Sequence, residues 1–90
     1  MPSYLVETYL ARGQAGERVA REGRARSAAE ELTQETTCVR FDRSIHVPDD
    51  EICFYVFDAP SARDAAQAAQ RAGLDPIRIV EAISSGKEEA

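Results

Sequence analysis

On either side of the tetrapeptide Pro48-Asp49-Asp50-Glu51 the chain alternates, position by position, between two kinds of side chain. Before it, Val39, Phe41, Ile45 and Val47 interleave with Cys38, Arg40, Asp42, Ser44 and His46; after it, Ile52, Phe54 and Val56 interleave with Cys53, Tyr55 and Phe57. A period of two marks a strand with one buried face. Proline presets the first dihedral of a turn and aspartate bonds its own backbone, so the tetrapeptide reads as the turn between two strands, 37–47 and a second from Ile52. Setting Val47 opposite Ile52 puts both apolar sets on one face of an antiparallel pair, whereas a slip of one residue sets Ile45 against the wrong face. Arg43 is the one interruption on the apolar side.

The flanking segments repeat a simpler unit, strand with helix. Residues 3–10, SYLVETYL, are rich in β-formers, with Tyr4, Val6, Thr8 and Leu10 opposed to Leu5, Glu7 and Tyr9. After a glycine-containing loop, residues 15–34 are strong helix formers, with Ala25, Ala28, Ala29 and Leu32 at helical spacing. In the same segment Glu17 to Arg21 and Glu22 to Arg26 stand as i to i+4 ion pairs. Ser61, with Asp64 three residues later, is a helix start, and Gly73 is a left-handed stop. The stripe between them is Ala62, Ala65, Ala66 and Ala69. Residues 76–84 form a last strand, and SGKEEA, 85–90, is a polar tail expected to be disordered.

Strand, helix, strand, strand, helix, strand is the ferredoxin-like α+β arrangement, βαββαβ, with two helices on one face of a four-stranded antiparallel sheet. A single domain over 1–84 follows. A chain of 90 residues builds a thin core, which favours pairing with a copy of itself through the sheet. The net charge of −5 argues against a nucleic acid partner or an anionic membrane surface. No apolar run approaches bilayer length and the first residues lack the pattern of an export signal, so a cytoplasmic protein is expected. Cys38 and Cys53 match no zinc spacing and are expected to be free thiols.

The sheet face away from the helices is then expected to carry Arg40, Asp42, Ser44 and His46 from strand two and Cys53, Tyr55 and Phe57 from strand three. Strand one adds Leu5, Glu7 and Tyr9. Strand four offers either Ile77, Ile79, Glu81 and Ile83 or Arg78, Val80 and Ala82. A bare face mixing aromatics with charges is what a partner or ligand covers. Glu7, Tyr9, Arg40, Ser44, His46, Cys53 and Tyr55 are the candidate small-ligand residues. His46 and Cys53 fall opposite one another, where a thiol and an imidazole could interact as nucleophile and base or as two soft ligands; a cysteine in a strand also serves simply as a small hydrophobe. The acids at 49–51 are accounted for by turn chemistry. Tyr55 and Phe57 lack the glycine and basic positions that accompany RNA-stacking aromatics on a sheet of this topology.

The segment RSIHVPDDEICFYVFDAPS, together with RAGLDPIRIVEA at the close, resembles the small ferredoxin-like proteins grouped as nickel-binding-like domains. The resemblance spans nearly the whole chain and implies the same fold, a dimer formed through the sheet, and metal binding. The family pattern places histidines before the strand-two serine and within helix two, where this sequence has Arg43 and Ala68. Neither supplies a lone pair to a borderline metal. Of the implied ligands Cys53 remains, with His46 displaced along the strand, so nickel affinity is expected to be weak or absent, and neither a cofactor nor a metal-ligand set is assigned. The same fold also houses cofactor-independent enzymes of the dimeric α/β-barrel type, for which Glu7 or His46 would serve as base and Arg40 or Tyr55 would stabilise negative charge. A purely structural or regulatory interaction domain is the third reading.

Overall fold

The computed structural model describes residues 1–83. The expected tail lies outside them. The elements are β1 (Ser3–Tyr9), α1 (Glu17–Glu35), β2 (Arg40–Val47), β3 (Ile52–Asp58), α2 (Ala62–Arg71) and β4 (Arg78–Ala82). The four strands form one antiparallel sheet in the order β2-β3-β1-β4, with both helices packed on it. This is the α+β, ferredoxin-like topology that the element order requires.

The turn chemistry is realised in detail. Pro48–Asp50 make one 3-10 turn closed by Glu51, which takes a left-handed φ of 54° and donates its N–H to the Pro48 carbonyl. The Glu51 carbonyl accepts from Leu10 N–H, and its carboxylate accepts from the Arg12 N–H and the Tyr9 hydroxyl, while Asp49 pairs with the Arg12 guanidinium. Glu51 and Asp49 thus clasp the loop after β1. That role accounts for two of the three acids without a cation.

Alanine governs how closely the helices approach. Ala25, Ala28, Ala29 and Leu32 of α1 are buried, the stripe expected from spacing. On α2 the buried set is Ala65, Ala68 and Ala69; Ala68 belongs to the stripe and Ala62 is exposed, a rotation of the expected face. Ser61 caps α2, accepting from Asp64 N–H at 3.2 Å, and Gly73 ends it at φ 70°. The Glu17–Arg21 pair forms at 3.6 Å, but Glu22 pairs with Arg18 instead, because Arg26 lies over the Phe41 ring, 5.3 Å from its centroid.

The pairing register is the expected one, with Val47 opposite Ile52 and His46 opposite Cys53. Which side faces the helices is not. Between Phe41 and Arg43 the β2 register shifts, leaving Asp42 as an extra residue. Such a bulge reverses the inside-outside parity of the residues after it. Phe41 therefore faces the helices, as expected, and so do Ser44 and His46, whereas Arg43 and Ile45 face outward; Ile45 is 39% exposed.

On β3 the helix side is Cys53, Tyr55 and Phe57, all fully buried, and Ile52, Phe54, Val56 and Asp58 lie on the open side. The reversal follows from β1, whose Tyr4, Val6 and Thr8 are all buried beneath the helices, as is Leu10 just beyond it. Thr8 opposes Cys53, Val6 opposes Tyr55 and Tyr4 opposes Phe57, so the face of β1 dictates the face of β3. Phe57 and Phe41 then meet at 5.4 Å between centroids in a tilted pair. In β4 Ile79 stands opposite Val6 and packs on the core, which leaves Arg78, Val80 and Ala82 on the open side.

Candidate functional sites on the two faces of the sheet

The seven residues expected on one surface are divided by the sheet. Glu7, Tyr9 and Arg40 lie on the open face. Ser44, His46, Cys53 and Tyr55 are a correction: they lie beneath α1, because the bulge at Asp42 turns β2 over and the β1 pairing turns β3 over.

The open face has an apolar centre, Leu5, Ile52, Phe54, Val56 and Val80, with Ile45 at its edge. Ion pairs flank that centre. Arg78 donates to Glu7 at 2.7 Å, and Arg40 grips the Asp58 carboxylate at 2.6 and 3.1 Å while the Ser3 hydroxyl donates to the other Asp58 oxygen at 2.7 Å. Burial works to raise the Asp58 pKa, but the Ser3 and Arg40 contacts outweigh it and hold the carboxyl below its ordinary value. Arg43 pairs with Asp42 at the bulge. Around these groups the face is concave, with about 460 Å³ of space lined by Ser3, Leu5, Arg40, Arg43, Val56 and Asp58. Tyr9 stands at the far end of β1, 55% exposed, its hydroxyl turned to Glu51.

Beneath α1 the site is of another kind. His46, Cys53 and Thr8 form one row across β2, β3 and β1, and Ser44, Tyr55 and Val6 form the next. The helix lowers charged side chains onto them. Arg18 Nε donates to Ser44 Oγ at 2.8 Å, and the Ser44 hydroxyl donates to Glu22. Arg21 donates to the Tyr9 carbonyl at 3.1 Å and to Thr8 Oγ1 at 3.4 Å, while Thr8 donates to the Cys53 carbonyl at 2.8 Å. Two atoms in this layer are buried without a partner, the Tyr55 hydroxyl and His46 Nε2. An unpartnered buried polar atom costs about 1–3 kcal/mol. Burial pushes the Tyr55 hydroxyl well above its ordinary pKa, the neighbouring Cys53 thiol adds to that, and the Arg21 guanidinium opposes it, so the phenol stays protonated.

The sheet separates Glu7 and Arg40 from His46 and Tyr55, so a base and a stabilising group on one side are either Glu7 with Arg40 or His46 with Tyr55. Among the described residues no group of three or more His, Cys, Asp or Glu side chains is placed to hold a metal ion. Cys53 is buried and Cys38 exposed, and neither is in a disulfide. No helix among the described residues is long and apolar enough to cross a membrane.

Several members of these two sites were not foreseen from the sequence: Thr8, Arg18, Arg21 and Glu22 beneath the helix, and Ser3 and Asp58 on the open face; Arg78 belonged to one of the two sets that strand four offered. Asp58 continues the alternation of its strand and was legible in principle. The arginines of α1 were not, since balanced charges on a helix read as a solvated surface.

The architecture is similar to the crystal structure of SCO4226 from Streptomyces coelicolor A3(2), with a TM-score of 0.69 and 19% sequence identity, covering 93% of this chain and 99% of that one. At that identity the likeness carries the fold alone. No family model and no curated protein matches the sequence.

Proposed function

We propose that the protein acts as a homodimer paired through the open faces of its sheets, and that the space enclosed between them holds a small ligand. The observation that carries this reading is the apolar centre of Leu5, Ile52, Phe54, Val56 and Val80 on the side that neither helix covers. A small domain gains the burial it lacks by closing such a face against another. A second copy suits it electrostatically. The chain as a whole carries −5, yet Arg40, Arg43 and Arg78 on this face are matched by Asp58, Asp42 and Glu7. Two copies can therefore approach face to face without local repulsion, and the internal pairing leaves the centre free for apolar contact.

A ligand held there meets an apolar floor and the Arg40–Asp58 and Arg43–Asp42 pairs at the rim, which suits a largely apolar organic molecule with one polar end. Nickel retention is expected to be weak or absent, since the implied histidine positions are Arg43 and Ala68. Native mass spectrometry of untagged protein, with and without nickel, tests oligomer, metal and co-purified ligand together. A dimer at micromolar concentration, with Phe54→Lys monomeric and still folded by circular dichroism, is the expected result. A monomeric parent, or a dimer that Phe54→Lys and Ile45→Lys leave intact, removes the proposal.

A further inference from the structure

The bulge at Asp42 sets two arginines on the same side of β2. Arg40 before it stands opposite Asp58 and Arg43 after it opposite Val56, so they belong to neighbouring rows of the open face, about 7 Å apart at a strand rise of about 3.4 Å per residue. The first row runs on through Asp58 and Ser3 to Ala82, the second through Val56 and Leu5 to Val80. One row is largely polar and the next apolar. Both arginines line the concave space of about 460 Å³, within the range of about 300–1,000 Å³ that small-molecule sites occupy.

The two ion pairs cancel formally, but what they present to that space does not. The acids lie low, Asp58 with 14% of its side chain exposed and Asp42 with 34%, whereas Arg40 and Arg43 are 70% and 60% exposed. Both Asp58 oxygens are occupied, one by the Ser3 hydroxyl and the other by Nε and Nη2 of Arg40. Arg43 donates from Nη1 to Asp42. Among the described residues Arg40 Nη1 and Arg43 Nε and Nη2 have no acceptor. A guest entering the space therefore meets free donors before it meets a carboxylate.

We propose that the ligand of the open face is a monocarboxylic acid with an aliphatic chain, its carboxylate accepting from Arg40 and Arg43 together and its chain lying along Val56, Leu5 and Val80. This inference rests on the open-face ligand site proposed above and names the class of molecule that site takes. A carboxylate matches the guanidinium fork in shape and gains charge-assisted hydrogen bonds from donors that otherwise face water. An alcohol offers one oxygen to two arginines. An amine meets two guanidinium groups first, and the carboxylates behind them are already bonded.

The test follows the backbone amide resonances of the full-length protein as hexanoate, hexan-1-ol or hexylammonium is added, with the oligomeric state measured on the same samples. Hexanoate is expected to shift Ser3, Leu5, Arg40, Arg43 and Val56 saturably and hexylammonium to leave them in place. Hexan-1-ol should bind at least roughly tenfold more weakly, the scale of one charge-assisted hydrogen bond. Arg43→Gln should weaken hexanoate by about tenfold and leave hexan-1-ol unchanged. Arg63→Gln, an equal change of net charge at an exposed position of α2, should alter neither. Should Arg43→Gln not fold by circular dichroism, Arg43→Lys replaces it, with a smaller loss because the charge stays and the fork goes. Hexan-1-ol or hexylammonium binding as tightly as hexanoate, an unsaturable response to hexanoate, or equal losses in the Arg43 and Arg63 variants would each overturn the proposal. A monomeric parent removes the dimer alone, since the preference for acid over alcohol is read from the same titration whatever the oligomer.

Discussion

Two phenylalanines three residues apart on β3 discriminate between the face assignments. Phe57 is fully buried against the helices and its ring stands 5.4 Å from that of Phe41. Replacing a buried phenylalanine by alanine costs roughly 3–5 kcal/mol, since the transfer free energy is lost and a cavity is left. Unfolding entropy near the melting point is about 2.1 cal/mol/K per residue, so a 90-residue chain changes by about 0.19 kcal/mol/K and Phe57→Ala should melt roughly 16–26 °C lower. Phe54 lies on the open side between Glu7 and Ile45. Truncation there leaves no closed cavity within one protomer, so about 1 kcal/mol, or roughly 5 °C, is expected in the isolated chain. Its larger effect is on association: the parent's melting temperature should rise with protein concentration and that of Phe54→Ala should not. Thermal scans over a hundredfold concentration range read both quantities. Equal losses at the two positions, or a greater loss at Phe54 in dilute solution, would mean that β3 presents its other side to the helices.

Smaller perturbations probe the local devices. Ser61→Ala removes the α2 cap and should cost about 1 kcal/mol in denaturant unfolding; no loss would show that Asp64 N–H is satisfied elsewhere. Gly73→Ala meets nothing within 4 Å of its new Cβ, so its expected cost of about 1–2 kcal/mol is that of a left-handed φ alone, and Gly73→Asn should recover part of it. Asp58 titrates below its ordinary value of 3.8 in the folded chain, so its stabilisation is present above that value and is lost as the pH falls through the lower folded value. Asp58→Asn should therefore be less stable than the parent at neutral pH and converge with it in acid; a gap of constant size across the pH range would contradict the Ser3 and Arg40 pairing.

How far the sequence specified this molecule depends on the kind of information asked of it. Helix and strand periods, the capping serine, Gly73 and the Val47–Ile52 register were legible because each rests on local spacing. The assignment of faces was not local. On β3 the sets Ile52, Phe54, Val56 and Cys53, Tyr55, Phe57 are nearly equal in apolar character, and the decision passes through pairing with β1 to Thr8, Val6 and Tyr4. On β2 the clue was Arg43 on the apolar side. It marked the bulge at Asp42, after which alternation resumes in the opposite sense. Seven candidate residues were thus identified as chemically unusual, four of them on the wrong side of the sheet. The charges that meet those four come from α1, whose balanced arginines and glutamates look like surface until a polar layer is found below them.

One surplus residue in β2 lets Phe41 before it and Ser44 and His46 after it share the helix face of the sheet. A relative lacking it would keep the counterparts of Arg43, Ser44, Ile45 and His46 opposite Val56, Tyr55, Phe54 and Cys53 and on the same faces, with alternation running unbroken from the counterpart of Phe41. Homologues aligned by alternation alone, without a gap at this point, would therefore be assigned the wrong side chains on each face of the sheet.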